Sequence, residues 1–367
     1  MQITAAVVRE KSGPFSIERL ELDEPRGNEV AVRIVASGMC HTDLHGRDGY
    51  YGTPFPAVFG HEGAGTVLAV GPEVRTLSPG DHVIVSFPWC GHCPSCAAHV
   101  PAHCLHQWEL KMRGTRPDGS TLMRMGDAPV YSAFFQQSSF GTVAISQEPW
   151  VVKVRADAPL DRLGPFACGI QTGAGAVLNA VRPQAGESLA VFGTGGVGLS
   201  ALMAAKLAGC DPLIAVDIRP KRLALARELG ATHAIDATAT PDIVGEIRKL
   251  TRYGVRHAID TTAVPAMFRQ AVDALMPLGT CILLGSARPG VEAAFEMVKL
   301  QEGRGIRGVI QGWSEPKSFL PKLVDLMMEG KLPVERLMTW YDLADINRAA
   351  DDAAKGTTIK PVLRMPQ

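Results

Sequence analysis

The sequence predicts an α/β protein of two domains, a mostly β domain and a doubly wound parallel sheet, and three observations lead there. The chain has 367 residues, too many for one small core and near the length of two ordinary domains. Its first part strings short β-type runs between glycines and prolines: Val30 to Val35, Gly65 to Val70 and His82 to Ser86. From Glu187 the pattern changes to apolar strand, glycine turn, helix and apolar strand, the rhythm of βαβ units in a parallel sheet.

Taken in order, Leu189 to Phe192 reads as the first strand of that sheet, Leu199 to Leu207 as a helix and Leu213 to Val216 as the next strand. Lys221 to Leu229 reads as a helix stopped by Gly230. Ala258 to Ile259 and Cys281 to Leu284 continue the strands. Beyond Gly308 the rhythm fades into a helix, Phe319 to Met328, and a strand, Pro361 to Leu363. We expect this tail to return to the first domain, giving one domain of residues 1–165 with 310–367 and a second of 166–309. No internal repeat or low-complexity segment is visible.

Composition narrows the function. Hydrophobic residues make up 46% and charged residues 20%, and 37 basic side chains balance 37 acidic ones. A chain with no net field offers no basic footprint for nucleic acid and no attraction to an anionic membrane. The stretch from Ser188 to Ala205 is uncharged, but glycines at 193, 195, 196 and 198 suit strand, turn and helix better than a membrane span. The N-terminus MQITAAVVREKSGPF lacks the basic and apolar pattern of a signal peptide, so a cytoplasmic location is expected. There the cysteines stay reduced.

Gly193-Thr-Gly-Gly-Val-Gly198 fits G-x-G-x-x-G between an apolar strand and a helix, the context of the Rossmann phosphate-binding turn. Glycines there let backbone approach a pyrophosphate, and the helix N-terminus stabilises the anion. Asp217 lies 19 residues beyond Gly198, where a carboxylate accepts hydrogen bonds from ribose hydroxyls and repels a 2′-phosphate. NAD is thus the expected dinucleotide, with Arg219 nearby as a possible phosphate partner; a glycine turn and a surface aspartate are the bland alternative.

Cys90, Cys93, Cys96 and Cys104 give C-x2-C-x2-C-x7-C within fifteen residues. Four soft ligands close a tetrahedron around zinc, as a structural site requires. Disulfides and an iron–sulfur cluster are the alternatives, while His92, His99 and His103 read as solvated loop residues. Cys40, His61 and Cys168 sit in separate glycine-rich stretches. Two thiolates and an imidazole leave a fourth position open, as a Lewis-acid zinc needs. Spacing alone joins these three only weakly, and Cys168, like Cys210 and Cys281, also reads as core.

With these motifs the sequence resembles a zinc-dependent alcohol dehydrogenase of the medium-chain dehydrogenase/reductase superfamily over essentially its whole length. The family's signature G-H-E-x2-G-x5-G-x2-V is met from Gly60 through Gly65 and Gly71 to Val74. The resemblance implies a GroES-like catalytic domain, a Rossmann NAD domain, two zincs per subunit and a homodimer or homotetramer acting on a small alcohol or aldehyde. It makes Cys40, His61 and Cys168 the catalytic zinc ligands and the four lobe cysteines the structural ones. Glu62 would sit close behind the metal, and Asp43 would orient the histidine ligand. Thr42 and His45 would begin and end a proton relay through the cofactor ribose. His41 and Lys360 would place positive charge near the pyrophosphate, Thr172 and Val197 would hold the nicotinamide, and Gly193, Gly195, Gly196, Gly198, Asp217 and Arg222 complete the cofactor set. Within the superfamily, Phe134-Phe-Gln-Gln-Ser-Ser-Phe140 and Gly164 to Asn179 resemble bacterial aryl-alcohol (benzyl-alcohol) and geraniol dehydrogenases. That narrowing suggests a pocket lined by Tyr51, Phe87, Phe134 and Phe135.

Three rivals compete with this reading. A zinc-stabilised binding protein would keep the fold without catalysis, a zinc-free quinone reductase of the superfamily would lack the cysteine lobe, and a zinc ribbon for nucleic acid would carry a basic face.

Overall fold

The computed structural model describes residues 1–366. Its chain forms β1 (Gln2–Val8), β2 (Phe15–Leu22), β3 (Glu29–Gly38), β4 (Ala57–Val58), β5 (Gly63–Val70), β6 (His82–Val85), β7 (Met123–Met125), β8 (Ala128–Val130), β9 (Val143–Gln147) and β10 (Val151–Lys153). Then come β11 (Leu189–Phe192), β12 (Leu213–Asp217), β13 (His233–Asp236), β14 (Val255–Asp260), β15 (Leu275–Leu283) and β16 (Gly305–Gly308), followed by β17 (Met338–Asp342) and β18 (Lys360–Arg364). Two compact units result, one of residues 1–168, 315–330 and 334–367, the other of 169–314 and 331–333.

The first unit holds two sheets. One runs β4-β1-β2-β7-β8 and the other β10-β6-β5-β3-β18-β17, with β9 also on β3. β3 is central: eight of its ten residues are buried, with Val30, Ala31, Val32, Ile34 and Ala36 supplying apolar side chains to both faces, as expected for a strand covered on both sides. β2 alternates only in its second half, where Arg19 and Glu21 are exposed and Leu20 and Leu22 buried, the pattern of a sheet wetted on one face. β18 pairs antiparallel with β3 through Val362 and Gly38, which brings Lys360 into the core of this unit. One apolar core, including Phe15, Phe59, Phe134 and Phe140, is packed within the unit.

The second unit is a six-stranded sheet in the order β13-β12-β11-β14-β15-β16, parallel throughout. β11 is Leu-Ala-Val-Phe, buried at every position, because parallel strands are covered by helices on both faces. The following helix starts at Gly196, inside the glycine motif rather than at Leu199, and runs to Leu207. Strand order reverses between β11 and β14, and ligands of such sheets bind beyond the strand ends at that switch point. Among the described residues no helix is long and apolar enough to cross a membrane.

Candidate active site and metal centres

Three segments of the first unit bring Cys40, His61, Glu62 and Cys168 together, with one donor atom from each lying within 4.8 Å of the others. Cys40 precedes the short helix His41–Arg47, His61 and Glu62 fill the turn between β4 and β5, and Cys168 ends the segment after Gly164–Ala167. The buried carboxylate of Asp43 organises this cluster. Its Oδ1 accepts from His61 Nδ1 at 2.8 Å and from Gly60 N at 3.1 Å, while Oδ2 accepts from Cys40 N at 3.0 Å. The imidazole is therefore fixed with Nε2 turned towards the thiols.

His61 Nε2 is buried and makes no hydrogen bond of acceptable geometry, although Cys40 lies beside it. Burial alone would push this imidazole down, but Asp43 and Cys40 outweigh it and lift it to about 10. Surroundings that favour positive charge so strongly suit a dication. An orphaned imidazole nitrogen facing two thiols is a donor set of the kind that holds zinc with a position to spare.

Glu62 stands behind this cluster. Gly38 makes room for it, since a Cβ there would lie 1.9 Å from Glu62 Oε2. Lys360 Nζ donates to both carboxylate oxygens, at 2.8 and 3.0 Å, and to Met39 O at 3.3 Å. Lys360 is thus buried, with its hydrogen bonds directed to Glu62 and Met39 inside the first unit. Burial raises the Glu62 carboxyl while Lys360 opposes the rise, so the two are one buried ion pair.

The second cluster is the lobe. Cys93 and Cys96 sulfurs lie 3.5 Å apart, Cys90 and Cys96 3.9 Å, and Cys93 and Cys104 4.0 Å. A tetrahedron with Zn–S bonds of about 2.3 Å has edges of about 3.8 Å, so the cage is already of the right size. Amides of Cys90, Cys93, Leu105 and His106 donate to its sulfurs at 3.3 to 3.5 Å. No disulfide forms, since all eight cysteines are free. His99 is exposed, 3.4 Å from Glu315.

Phe134, Phe135 and Phe87 are buried in the first unit's core. The Phe135 ring lies 4.5 Å from that of His61, and Phe134 packs on Phe59, His61 and Tyr51. Their loop is strained: Phe135, Gln136 and Ser138 have φ of 51°, 55° and 47°, unfavourable for such residues. Buried polar side chains hold it there. Gln137 Nε2 donates to His61 O and Val85 O at 3.1 Å while its Oε1 accepts from Gly63 N. Sequence reading gave Gln137 no role, because a glutamine in a loop carries no mark of burial. Lys111 was also missed; its ammonium, 2.8 Å from Gln107 Oε1, faces the rings of Phe87 and Phe135, and burial lowers it to about 8.

Thr42 Oγ1 lies 3.8 Å from Cys40 Sγ. His45 stacks on Tyr50 with ring centres 4.7 Å apart, and its Nδ1 is 3.3 Å from Tyr51 Oη. His41 is exposed.

In the second unit, Gly193 turns the chain at φ 88°, and a Cβ on Gly198 would fall 1.9 Å from Gly193 O. Gly195 is the open one, with only Arg222 Nη1, 3.9 Å away, near such a Cβ. This is the division of labour a pyrophosphate cradle needs. Asp217 ends β12, accepting from Thr194 N, Thr194 Oγ1 and Arg219 N at 2.6, 2.7 and 2.9 Å. Thr172 Oγ1 donates to Gln311 Oε1 at 3.4 Å, and Val197 O is packed against Gly173.

Residues 26–154 match the model of the alcohol dehydrogenase GroES-like domain, and residues 196–328 that of the zinc-binding dehydrogenase. Geraniol dehydrogenase of Castellaniella defragrans is 44% identical over 98% of this chain and 96% of its own. The chain belongs to the zinc-dependent alcohol dehydrogenases. A class-3 alcohol dehydrogenase of Cereibacter sphaeroides is 35% identical, covering 99% of this chain and all of its own. Among solved structures, benzyl alcohol dehydrogenase of Acinetobacter calcoaceticus superposes with a TM-score of 0.96 at 43% identity, each chain fully covered. The two sheets of the first unit are the GroES-like half and the parallel sheet is the Rossmann half. The reaction of this alcohol dehydrogenase is reversible hydride transfer between an alcohol and NAD, and it depends on zinc.

Proposed function

We propose that this dehydrogenase oxidises primary aryl or allylic alcohols to their aldehydes, with Cys40, His61 and Cys168 holding a catalytic zinc and the four lobe cysteines a structural one. The observation that carries the site assignment is the buried, unpartnered His61 Nε2 facing two thiols. When bound, zinc supplies Lewis-acid charge that makes an alcohol proton labile near neutral pH, and NAD accepts the hydride. Asp43 fixes the imidazole tautomer, and Thr42, beside Cys40, takes the alcohol proton towards His45. The Glu62–Lys360 pair backs the cluster. Gly193, Gly195, Gly196 and Gly198 receive the pyrophosphate, Arg222 and His41 flank it, Thr172 and Val197 hold the nicotinamide, and Asp217 receives the adenosine ribose.

Support for conjugated alcohols comes from the rings around His61 and from the geraniol and benzyl alcohol dehydrogenases it resembles. Each methylene-sized group buried against such rings contributes about 0.8 kcal/mol, so benzyl alcohol and geraniol gain orders of magnitude over ethanol. We measure this as kcat/KM for benzyl alcohol, geraniol, hexanol and ethanol at one pH with saturating NAD. Ethanol matching the conjugated alcohols defeats the substrate assignment. The same assay with NADP tests Asp217, whose charge should disfavour a 2′-phosphate; preference for NADP defeats that role.

Free thiols throughout fit a cytoplasmic enzyme. Self-association into dimers or tetramers is supported by exposed apolar side chains near the sheet edge, Leu278, Met297 and Val298 being 67%, 80% and 60% exposed, more than a lone subunit ordinarily leaves in one region.

A further inference from the structure

Lys111 carries a buried charge that no step of the proposed reaction uses. It is 5% exposed, and its ammonium makes one hydrogen bond, to Gln107 Oε1 at 2.8 Å, one turn back on the helix Gln107–Met112. The buried cations Lys360 and Arg116 are paired with Glu62 and Glu29. Lys111 has no such acid: among the described residues the charges acting on it are the thiols of Cys168 and Cys104, and no carboxylate. Its ammonium lies instead 5.4 Å from the centre of the Phe87 ring and 5.5 Å from that of Phe135. Both rings belong to the set assigned to the substrate. Phe135 also stands 4.5 Å from the ring of His61, so one phenyl group touches both the ammonium and the imidazole of the open cluster. All of these residues lie in the first unit. A buried cation with no anion beside it is costly, and burial accordingly lowers Lys111 to about 8.

We propose that Lys111 is a specificity residue, selecting aryl alcohols that carry a carboxylate at the end of the ring remote from the carbinol. A substrate ring lying along Phe135, with its carbinol at the His61 cluster, directs its far substituent towards the ammonium. Gln107 occupies one N–H donor of Lys111, and an ammonium has two more to offer. A carboxylate supplies acceptors for those donors and the missing counter-charge together. Charge-assisted hydrogen bonds of this kind are roughly twice as strong as neutral ones. An apolar group in the same place leaves the cation buried and unpaired, so the selection runs in favour of the acid over its methyl analogue.

This selection rests on the aryl-alcohol reading of the same rings, so one substrate series tests both. NADH formation gives kcat and KM at pH 7 with saturating NAD for benzyl alcohol, 4-methylbenzyl alcohol and 4-(hydroxymethyl)benzoate, with wild type, Lys111→Met and Lys111→Gln. Methionine keeps an unbranched chain against the two rings, glutamine keeps polarity without charge, and Tm and zinc content check the fold of each. In wild type the kcat/KM of the acid should exceed that of its methyl analogue by about tenfold or more. In either variant that ratio should fall by a similar factor, mainly through the KM of the acid, because the contact is made in ground and transition state alike. A wild-type ratio of one or less overturns the proposal with no variant needed, which keeps the test decisive even if neither variant folds. A ratio that survives in a folded variant overturns it as well, and lobe zinc lost from that variant would make Lys111 a counter-charge for the lobe thiolates. Equal loss on all three alcohols overturns it in favour of packing between Phe87 and Phe135. Wild type that oxidises none of the three defeats the aryl-alcohol reading itself, whereas benzyl alcohol oxidised without preference for the acid defeats only the role of Lys111.

Discussion

In the cysteine lobe, four thiols come from fifteen consecutive residues, and four backbone amides point at their sulfurs. In the other cluster, the thiols of Cys40 and Cys168 and the imidazole of His61 come from distant segments, and the hydrogen bonds run to a buried carboxylate instead. A local loop can saturate a metal with its own four thiolates while its backbone amides donate to the sulfurs, and it then has no position left for chemistry. A distributed set needs the fold to assemble it, and the same folding brings Thr42 beside Cys40, Phe135 onto His61 and Glu62 behind them. On the assignment proposed here, similar donors serve stability or catalysis according to what the rest of the chain adds around them.

The sharpest way to break this contrast is Cys168→Ser. Losing one of three protein ligands at the open site removes several kcal/mol of transition-state charge stabilisation, so kcat/KM should fall by about a thousandfold or more, with one zinc per chain retained in the lobe. NADH formation at 340 nm and elemental analysis read both. A variant keeping a tenth of wild-type activity would mean that Cys168 is core packing after all.

The two sites also differ in how legible they were. C-x2-C-x2-C-x7-C and the glycine turn after Leu189–Phe192 are local patterns, so spacing carries their chemistry. β11 begins and ends at the residues expected, because an all-apolar run between a polar stretch and a glycine turn has no other good solution. Joining Cys40, His61 and Cys168 depended on resemblance, since nothing in their spacing links them. The ion pair of Lys360 was out of reach for the same reason, since its partner Glu62 is 298 residues away. Gln137 was invisible, because its hydrogen bonds to His61, Gly63 and Val85 cross the fold and leave no periodicity behind.

A smaller effect should follow from Asp43→Asn, which keeps volume but alters hydrogen bonding. The carboxylate accepts from Cys40 N, Gly60 N and His61 Nδ1; an amide has one acceptor oxygen and turns its NH2 towards a donor. Loss of a carboxylate behind a ligating histidine costs about 10- to 100-fold in metal affinity or activity. Zinc dissociation from the open site, measured with a competing chelator, should rise with the loss of kcat, and lobe zinc should stay. Equal release from both sites would show that Asp43 supports the fold at large.

Cys96→Ser should have the least effect on turnover and so tests the lobe from the other side. Cys96 Sγ lies 3.5 Å from that of Cys93 and 3.9 Å from that of Cys90, and removing it opens the tetrahedron without touching Asp43, His61 or Thr42. The remaining thiols keep part of the cage, but the closed site no longer forms, and the metal's contribution to folding is reduced. For a unit of about 150–250 residues each kcal/mol lost lowers Tm by about 2–4 °C, so a fall of several degrees is expected for the first unit, with lobe zinc released first. Activity of the protein that remains folded, assayed well below Tm, should stay within about twofold, because the lobe's zinc has no open position for an alcohol. Unchanged Tm would remove the structural assignment. A loss of kcat as large as that of Cys168→Ser, with Tm and zinc at the open site intact, would erase the distinction between the two clusters.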